Sequence, residues 1–348
     1  MRASLDAFVD GLLRPTGASL AAALAVAVVT ITALCLAPLE PLLASGEMVV
    51  SHDDEYAWIT AQVLQVEQAP PSGRAVWVLA SSATREALAS TEALREGLAQ
   101  RGAADSVTVL AAGGLGPHEA LALLDHLPVS AGDAVVMEAS PRNFAWSPAR
   151  LQAHLDRPRL PLRSPTLDAG ARAAGLAPPR RPASLLLAYP DFWSARLGGL
   201  LHLVTEAPMV DFHLADQLAP PQPAQWAALE LRLVGWGRDC MAHFEQNAAL
   251  YRMMTDHVAG LGARLFWVQA PRNPAIVQRL ASAGAAPERP ACQARIQALA
   301  DELGATLLDP ARGVQMPGAA FIDHAHIIDP AVRSAFTDEL AAQLSAAP

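Results

Sequence analysis

An apolar run, Val76–Leu79, stops abruptly at Ser81 and Ser82. A helical pattern follows at once, with Glu86 early and Leu88 and Leu94 on one face. That order of events describes a buried parallel strand, a tight turn and a helix N-terminus. The unit recurs. Ser106–Ala112 reads as a second strand that runs into Gly113-Gly114-Leu115-Gly116-Pro117. Pro117 suits the first turn of a helix continuing through His118–Leu127. Asp133–Ala139 reads as a third strand and exits into Ser140-Pro141-Arg142-Asn143. The βαβαβ alternation predicts an α/β fold, with a parallel sheet covered by helices on both faces.

The rhythm breaks over 147–225, which is dense in Pro and Arg. Its apolar piece, Ser184–Thr205, is interrupted by Asp191, Arg196 and His202 and so is not a membrane span. The segment reads as an insertion, either a cap or docking surface over the site or a packed helical extension of the core. Gln225–Gly262 is helical by period, as one long helix or as two pieces broken near Gly235–Gly237. Arg264–Ala270 is a fourth strand, ending at Pro271-Arg272-Asn273-Pro274. Ala291–Leu303 is a helix, Ala305–Leu308 a short strand, Gly313–Ala319 a loop and Pro330–Leu344 the last helix.

Ahead of this region, Pro15–Leu39 carries no charged residue. At about 1.5 Å rise per residue, those 25 positions exceed the roughly 30 Å hydrocarbon core of a bilayer. Arg2 and Arg14 precede the run, and only acidic charges follow it before Arg74. The positive-inside rule therefore places 1–14 as a cytoplasmic tail, 15–39 as an uncleaved transmembrane signal anchor and the rest outside. A cleaved signal peptide fits less well, because its apolar region is normally shorter, about 7–15 residues. Met48–Gln68 reads as a helix or stalk within a 40–73 linker, broken by Ala69-Pro70-Pro71-Ser72-Gly73. The soluble domain is expected over 74–346.

Of 348 residues, 52% are hydrophobic, so a sizeable core is available. The net charge of −9 argues against a nucleic-acid partner. Cys240 and Cys292 lack zinc spacing; they form either a disulfide in an exported domain or two reduced core thiols. No phosphate loop or GxGxxG is present, and no metal or cofactor is called for.

The chemistry-bearing residues lie at the two ends of the soluble region. Ligands of open α/β sheets sit at the carboxyl ends of strands. A serine there, beside the free N–H groups of a helix start, has half an oxyanion hole already built. Ser81 or Ser82 serving only as an N-cap is the plainer alternative. Near the other end stand Asp323 and His326, as Asp-x-x-His. Serine needs a neutral imidazole to take its proton, and the imidazole needs a carboxylate to hold its tautomer. His324 competes with His326 for that role, and Asp323 also suits a turn cap. Arg85 is either an anion contact at the mouth of the site or a solvated helix-start arginine. Trp146, Trp193 and Trp226 serve either sugar stacking or core packing.

On these residues the chain resembles the SGNH/GDSL hydrolase superfamily, in particular its membrane-anchored bacterial members linked to exopolysaccharide or cell-envelope O-acylation. The resemblance spans roughly 74–346. Ala80-Ser81-Ser82 matches the Gly-Asp-Ser block, with Ser81 in the Asp position. Ser82 is thereby the expected nucleophile, His326 its base and Asp323 the orienting acid. Gly114, with Gly113 and Gly116 as alternates, and Asn143 match the oxyanion-hole positions. Ser81 and Arg85 are further substrate-binding candidates, and His118, near the glycine block, reads either as a pocket-lining or as a plain surface histidine.

The resemblance implies a three-layer, flavodoxin-like domain on one N-terminal transmembrane helix, held single-pass in the cytoplasmic membrane and facing the periplasm. It implies a serine esterase or O-acyltransferase acting on an envelope polysaccharide or other acylated carbohydrate, without cofactor, with a membrane acyltransferase as possible partner. The altered first block and the long insertion support an alternative: a catalytically inactive SGNH-like scaffold in an envelope assembly complex.

Overall fold

A computed structural model describes residues 17–36, 39–44, 55–180, 184–194, 212–284 and 287–347. Five parallel strands form one sheet: β1 (Ala75–Ser81), β2 (Ser106–Ala112), β3 (Ala134–Glu138), β4 (Arg264–Val268) and β5 (Thr306–Leu308). Their order is β2-β1-β3-β4-β5. Leaving β1, the chain adds β2 on one side and then returns to add β3 on the other. The crevice at such a reversal, at the carboxyl ends of β1 and β3, is where open α/β sheets bind ligands.

Besides the short helices Glu40–Ala44 and Leu185–Ala188, the helices are α1 (Gly17–Leu36), α2 (Glu55–Gln68), α3 (Ser82–Arg85), α4 (Thr91–Gln100), α5 (Pro117–Leu124), α6 (Pro148–Asp156) and α7 (Pro165–Ala173). After these come α8 (Pro223–Gly260), α9 (Pro274–Ser282), α10 (Glu288–Leu303) and α11 (Pro330–Ala346). Residues of β1 alternate between two buried layers. Val76 and Val78 face Leu94 and Leu98 of α4 and Phe336 and Leu340 of α11. Trp77 and Leu79 face the larger layer, with Leu121 of α5, Leu151 of α6, Leu167 of α7, Tyr251 of α8 and Ile296 of α10. A strand buried on both faces shows no hydrophobic alternation, which explains the continuous apolar run.

The structure departs from the sequence expectations at several points. The helical pattern expected to carry Leu88 and Leu94 on one face is two helices, because Ser90 begins α4 afresh, its hydroxyl accepting from Ala93 N at 3.0 Å. The expected stalk is not a stalk over its described part: α2 buries Ile59 and Val63 in the main core. The folded body therefore begins well before residue 74. The first part of 147–225 is a packed helical extension, since Leu151, Leu155, Leu160 and Leu167 are all core residues. Residues 195–211 lie outside the described residues. The helix 223–260 is continuous. Gly237 serves a close approach there, since a Cβ would stand 3.0 Å from Arg289 N at the start of α10. Beside that contact Cys240 and Cys292 form a disulfide.

In α1, Leu20, Leu24, Val26, Val29 and Ile31 are all exposed. Its side chains are described only over 17–33, and among the described residues no helix is long and apolar enough to cross a membrane. The expected tail, positions 15–16 and 37–38 of the expected anchor and Met48–Asp54 lie outside the described residues; Leu39, the last position of the expected anchor, is buried in a satellite cluster.

Candidate active site at the carboxyl rim of the sheet

Strand β1 ends at Ser81, and α3 starts at Ser82. Ser81 is the cap residue; its hydroxyl accepts from Ala83 N at 3.3 Å. It also donates to Glu138 Oε2 at 2.6 Å, and the Ser81 N–H donates to the same oxygen at 2.9 Å. Thr84 adds a third donor at 3.0 Å. Glu138 is the last residue of β3, so this buried carboxylate ties the β1 turn to its neighbouring strand. Ser82 is left with its hydroxyl free to face outward. As the first helical residue, its N–H has no acceptor within the helix.

Between β5 and α11 the chain makes a short loop closed by an antiparallel bridge, Phe321 to Ile327. Asp323 organises it. Its Oδ1 accepts from Ala325 N at 2.8 Å and from His326 N at 2.9 Å. Its Oδ2 accepts from His326 Nδ1 at 2.8 Å. Capping the turn and orienting the imidazole are thus one arrangement. With Nδ1 bonded to the carboxylate, Nε2 presents its lone pair, and it lies 3.0 Å from Ser82 Oγ.

Two further groups set this distance. Arg333 of α11 donates to Glu86 O, just after α3, and to Ile327 O, just after His326, both at 3.0 Å. One buried guanidinium therefore clamps both arms of the dyad. Asn273 braces the loop from the β4 side: it donates through Nδ2 to Asp323 O at 3.2 Å and through its N–H to His324 O at 3.0 Å.

Burial alone would raise the Asp323 carboxyl, but the adjacent His324 and His326 outweigh it and hold it well below the usual carboxylate range. His324 is the poorer base candidate. Its Nδ1 stands 3.6 Å from Asp323 Oδ2, beyond hydrogen-bond reach, and burial lowers its pKa.

A cavity of about 170 Å³ opens over the dyad. Gly114 lines it opposite Ser82, with φ +79°, so the turn after β2 needs a glycine. Arg142, Arg232, Arg272 and Trp236 complete the wall. These four were not anticipated. The signal was present for two of them: Pro-Arg-Asn occurs at 141–143 and again at 271–273, each time just past a strand that ends at this rim.

The other expected residues lie elsewhere. Asn143 does not line this cavity; it sits by a smaller void, and its Oδ1 accepts from Ser140 Oγ at 2.6 Å. Ser81 is fully buried against Glu138 and cannot touch substrate. Arg85 is not at the mouth. It is buried, paired with Glu55 and, at 2.9 Å, with Glu86. The short α3 points it inward, and the Glu55 carboxylate also accepts from Gly113 N at 2.5 Å, steadying the glycine turn.

His118 is buried in a separate void beside His154 and Trp146, not at the serine. Burial, then Arg159 and Arg150, push its pKa down to about 3. His118, Glu119 and His154 stand close enough to suggest a metal cluster. The Glu119 carboxylate, however, is taken by Arg159 at 2.7 Å on both oxygens and by Gly116 N at 2.8 Å. That donor set does not suit a cation. Trp146 is core, as is Trp193 in a satellite cluster, while Trp226 packs against the cluster of Leu233 and Ile276.

No known family model matches the chain, and neither a curated protein nor a solved structure matches it.

Proposed function

We propose that the chain is a membrane-anchored serine esterase or O-acyltransferase of the SGNH/GDSL type, acting on an acylated carbohydrate of the cell envelope. The observation that carries this reading is the Ser82–His326–Asp323 chain of hydrogen bonds, 3.0 and 2.8 Å long, at the rim where β1 and β3 diverge. A serine, a carboxylate-held imidazole and an open cavity in that order have one common use, acyl transfer through a covalent intermediate.

In the first half-reaction Ser82 Oγ attacks the acyl carbonyl carbon while His326 Nε2 takes the hydroxyl proton. The carbonyl electron pair moves onto oxygen, where the Ser82 N–H and the Gly114 turn are the donors the fold offers. Collapse breaks the bond to the sugar oxygen, which leaves with the proton from His326. The acyl group is then on Ser82. In the second half-reaction a water or a second sugar hydroxyl gives its proton to His326 and attacks the acyl carbon; collapse breaks the bond to Ser82 Oγ, which takes the proton back from His326. Asp323 stays ionised and steadies the imidazolium in both halves. The cavity, about 170 Å³, is small beside the roughly 300–1,000 Å³ of a drug-sized pocket. It suits a short acyl group with the carbohydrate lying across the mouth.

The exposed apolar face of α1 and the basic residues ahead of it support a cytoplasmic-membrane anchor with the catalytic body outside. The Cys240–Cys292 disulfide fits an oxidising compartment. The test is covalent labelling of the full-length chain in nonionic detergent with a fluorophosphonate. One adduct is expected on Ser82, absent in Ser82→Ala and His326→Ala. A folded chain that never labels and never cleaves p-nitrophenyl acetate is instead a scaffold.

A further inference from the structure

We infer that the carbohydrate taken by this site carries an anionic group, a carboxylate or a phosphate, beside the ester or acceptor hydroxyl. The inference rests on the esterase or acyltransferase reading and names the substrate class of that same site.

The wall of the serine cavity holds three guanidiniums, from Arg142, Arg232 and Arg272. Among the described residues none of them has a carboxylate partner within ion-pair distance, which sets them apart from the buried Arg85 and Arg333, each committed to acids. Arg272 does have one hydrogen bond, to the carbonyl of Pro271 at 3.1 Å. Glu138 and Asp323 are the acids nearest in its field, and both are already engaged, by Ser81 and Thr84 and by His326. Arg142 and Arg289 add like charge. A chain with net charge −9 has thus gathered uncompensated positive charge at one place, above its serine.

Two of the guanidiniums are also held in position. Arg142 and Arg272 lie 5.9 and 5.6 Å from the ring centroid of Trp236, within the range of cation–π attraction. Each reaches the rim because the same tripeptide, Pro-Arg-Asn, follows β3 and β4, and those strands are neighbours. Burial holds the Arg272 guanidinium down to about 10, with Arg289 and Arg142 adding to the effect against Glu138 and Asp323. A guanidinium buried without an acid, as Arg272 is, is costly unless an anion completes it, and Arg142 beside the same ring adds a second donor fork to the place. Their planar forks match carboxylate and phosphate oxygens.

The experiment is protection of Ser82 from fluorophosphonate labelling in the full-length chain. The probes are trigalacturonate as the carboxylate, glucose 6-phosphate as the phosphate and maltotriose as the neutral control. One or both anions are expected to slow labelling at concentrations where maltotriose does not. Whichever protects identifies the substituent. Losing one charge-assisted contact costs about tenfold in affinity, so Arg232→Gln and Arg142→Gln should each raise the half-protecting concentration about tenfold. Arg232 is exposed, so its replacement leaves the core intact.

Labelling at Ser82 with no difference between anions and maltotriose overturns the anionic substrate and leaves the nucleophile standing. Protection that neither arginine variant weakens overturns it too, since the anion then binds elsewhere. Absence of labelling in the folded chain overturns the esterase reading and, with it, this use of the arginines.

Discussion

Replacing Asp323 with Asn tests the site most directly, because an amide cannot do what this carboxylate does. Its two oxygens serve three donors: Oδ1 accepts from Ala325 N and His326 N, and Oδ2 from His326 Nδ1. An asparagine has one acceptor. Two backbone N–H groups hold that acceptor, so the amide NH2 is left facing His326 Nδ1. The ring must then offer a lone pair at Nδ1 and carry its proton on Nε2, pointed at Ser82 Oγ, 3.0 Å away. That tautomer cannot take a proton from serine. The loss from the wrong tautomer in serine hydrolases is on the order of 10⁴ in turnover, and about 10³–10⁴ is expected here. In barrier terms this is about 4–5.5 kcal/mol. The turn itself survives, since the backbone donors keep their acceptor.

The assay is the initial rate on p-nitrophenyl acetate at neutral pH, with the denaturant midpoint as a control for folding. The control has its own sign. A carboxyl held below its ordinary value contributes stability that is present above the unfolded pKa, about 3.9, and lost as pH falls through the folded one. The stability gap between wild type and Asp323→Asn should therefore be constant above about pH 4 and shrink below it. A folded Asp323→Asn chain within about tenfold of wild-type rate refutes the argument that Asp323 sets the tautomer.

Three more outcomes follow from the packing. Glu138→Ala strands three buried donors, from Ser81 N, Ser81 Oγ and Thr84 Oγ1, and at about 1–2 kcal/mol each should cost about 3–6 kcal/mol in urea unfolding. A loss under about 1 kcal/mol would show that those groups find other partners. Opening the Cys240–Cys292 bridge, which spans 52 residues, should lower stability by about 2–4 kcal/mol, read as a shift of the midpoint in reductant or in a double Ser variant. His118, held down to about 3, stays neutral in the fold while the unfolded chain gains a proton as pH drops below about 6.5. Stability should fall through that window by at most about 1.4 kcal/mol per pH unit, and His118→Leu should flatten the slope; an unchanged slope would mean His118 can charge in place.

Much of the framework could be read from the chain because it rests on local rules. Ser106–Ala112 is a strand at its expected bounds, and the other strands fall within two residues of theirs. Buried parallel strands announce themselves as apolar runs, and Pro117 and Pro330 mark helix starts. What misled were contacts that no local pattern encodes. Glu55 and Glu86 drew Arg85 inward, so a helix-start arginine became a core ion pair. Ser140 took the side-chain oxygen of Asn143, beside a void separate from the serine cavity. The helix read as a stalk lay down on the sheet because Ile59 and Val63 had a surface to bury against.

The sequence by itself determined which segments become strands and helices, and which residue types stand at their ends: a serine after β1, an Asp-x-x-His before α11. Those depend on periodicity and on caps, which act over a few residues. Only the tertiary structure decided that Ser82 and His326, 244 positions apart, meet at 3.0 Å, and that two Pro-Arg-Asn turns converge above them. Strand order set the second, because the neighbours β3 and β4 deliver their carboxyl ends to one rim; the first needed Arg333 and Asn273 to hold the loop after β5 over the end of β1, which no local rule encodes.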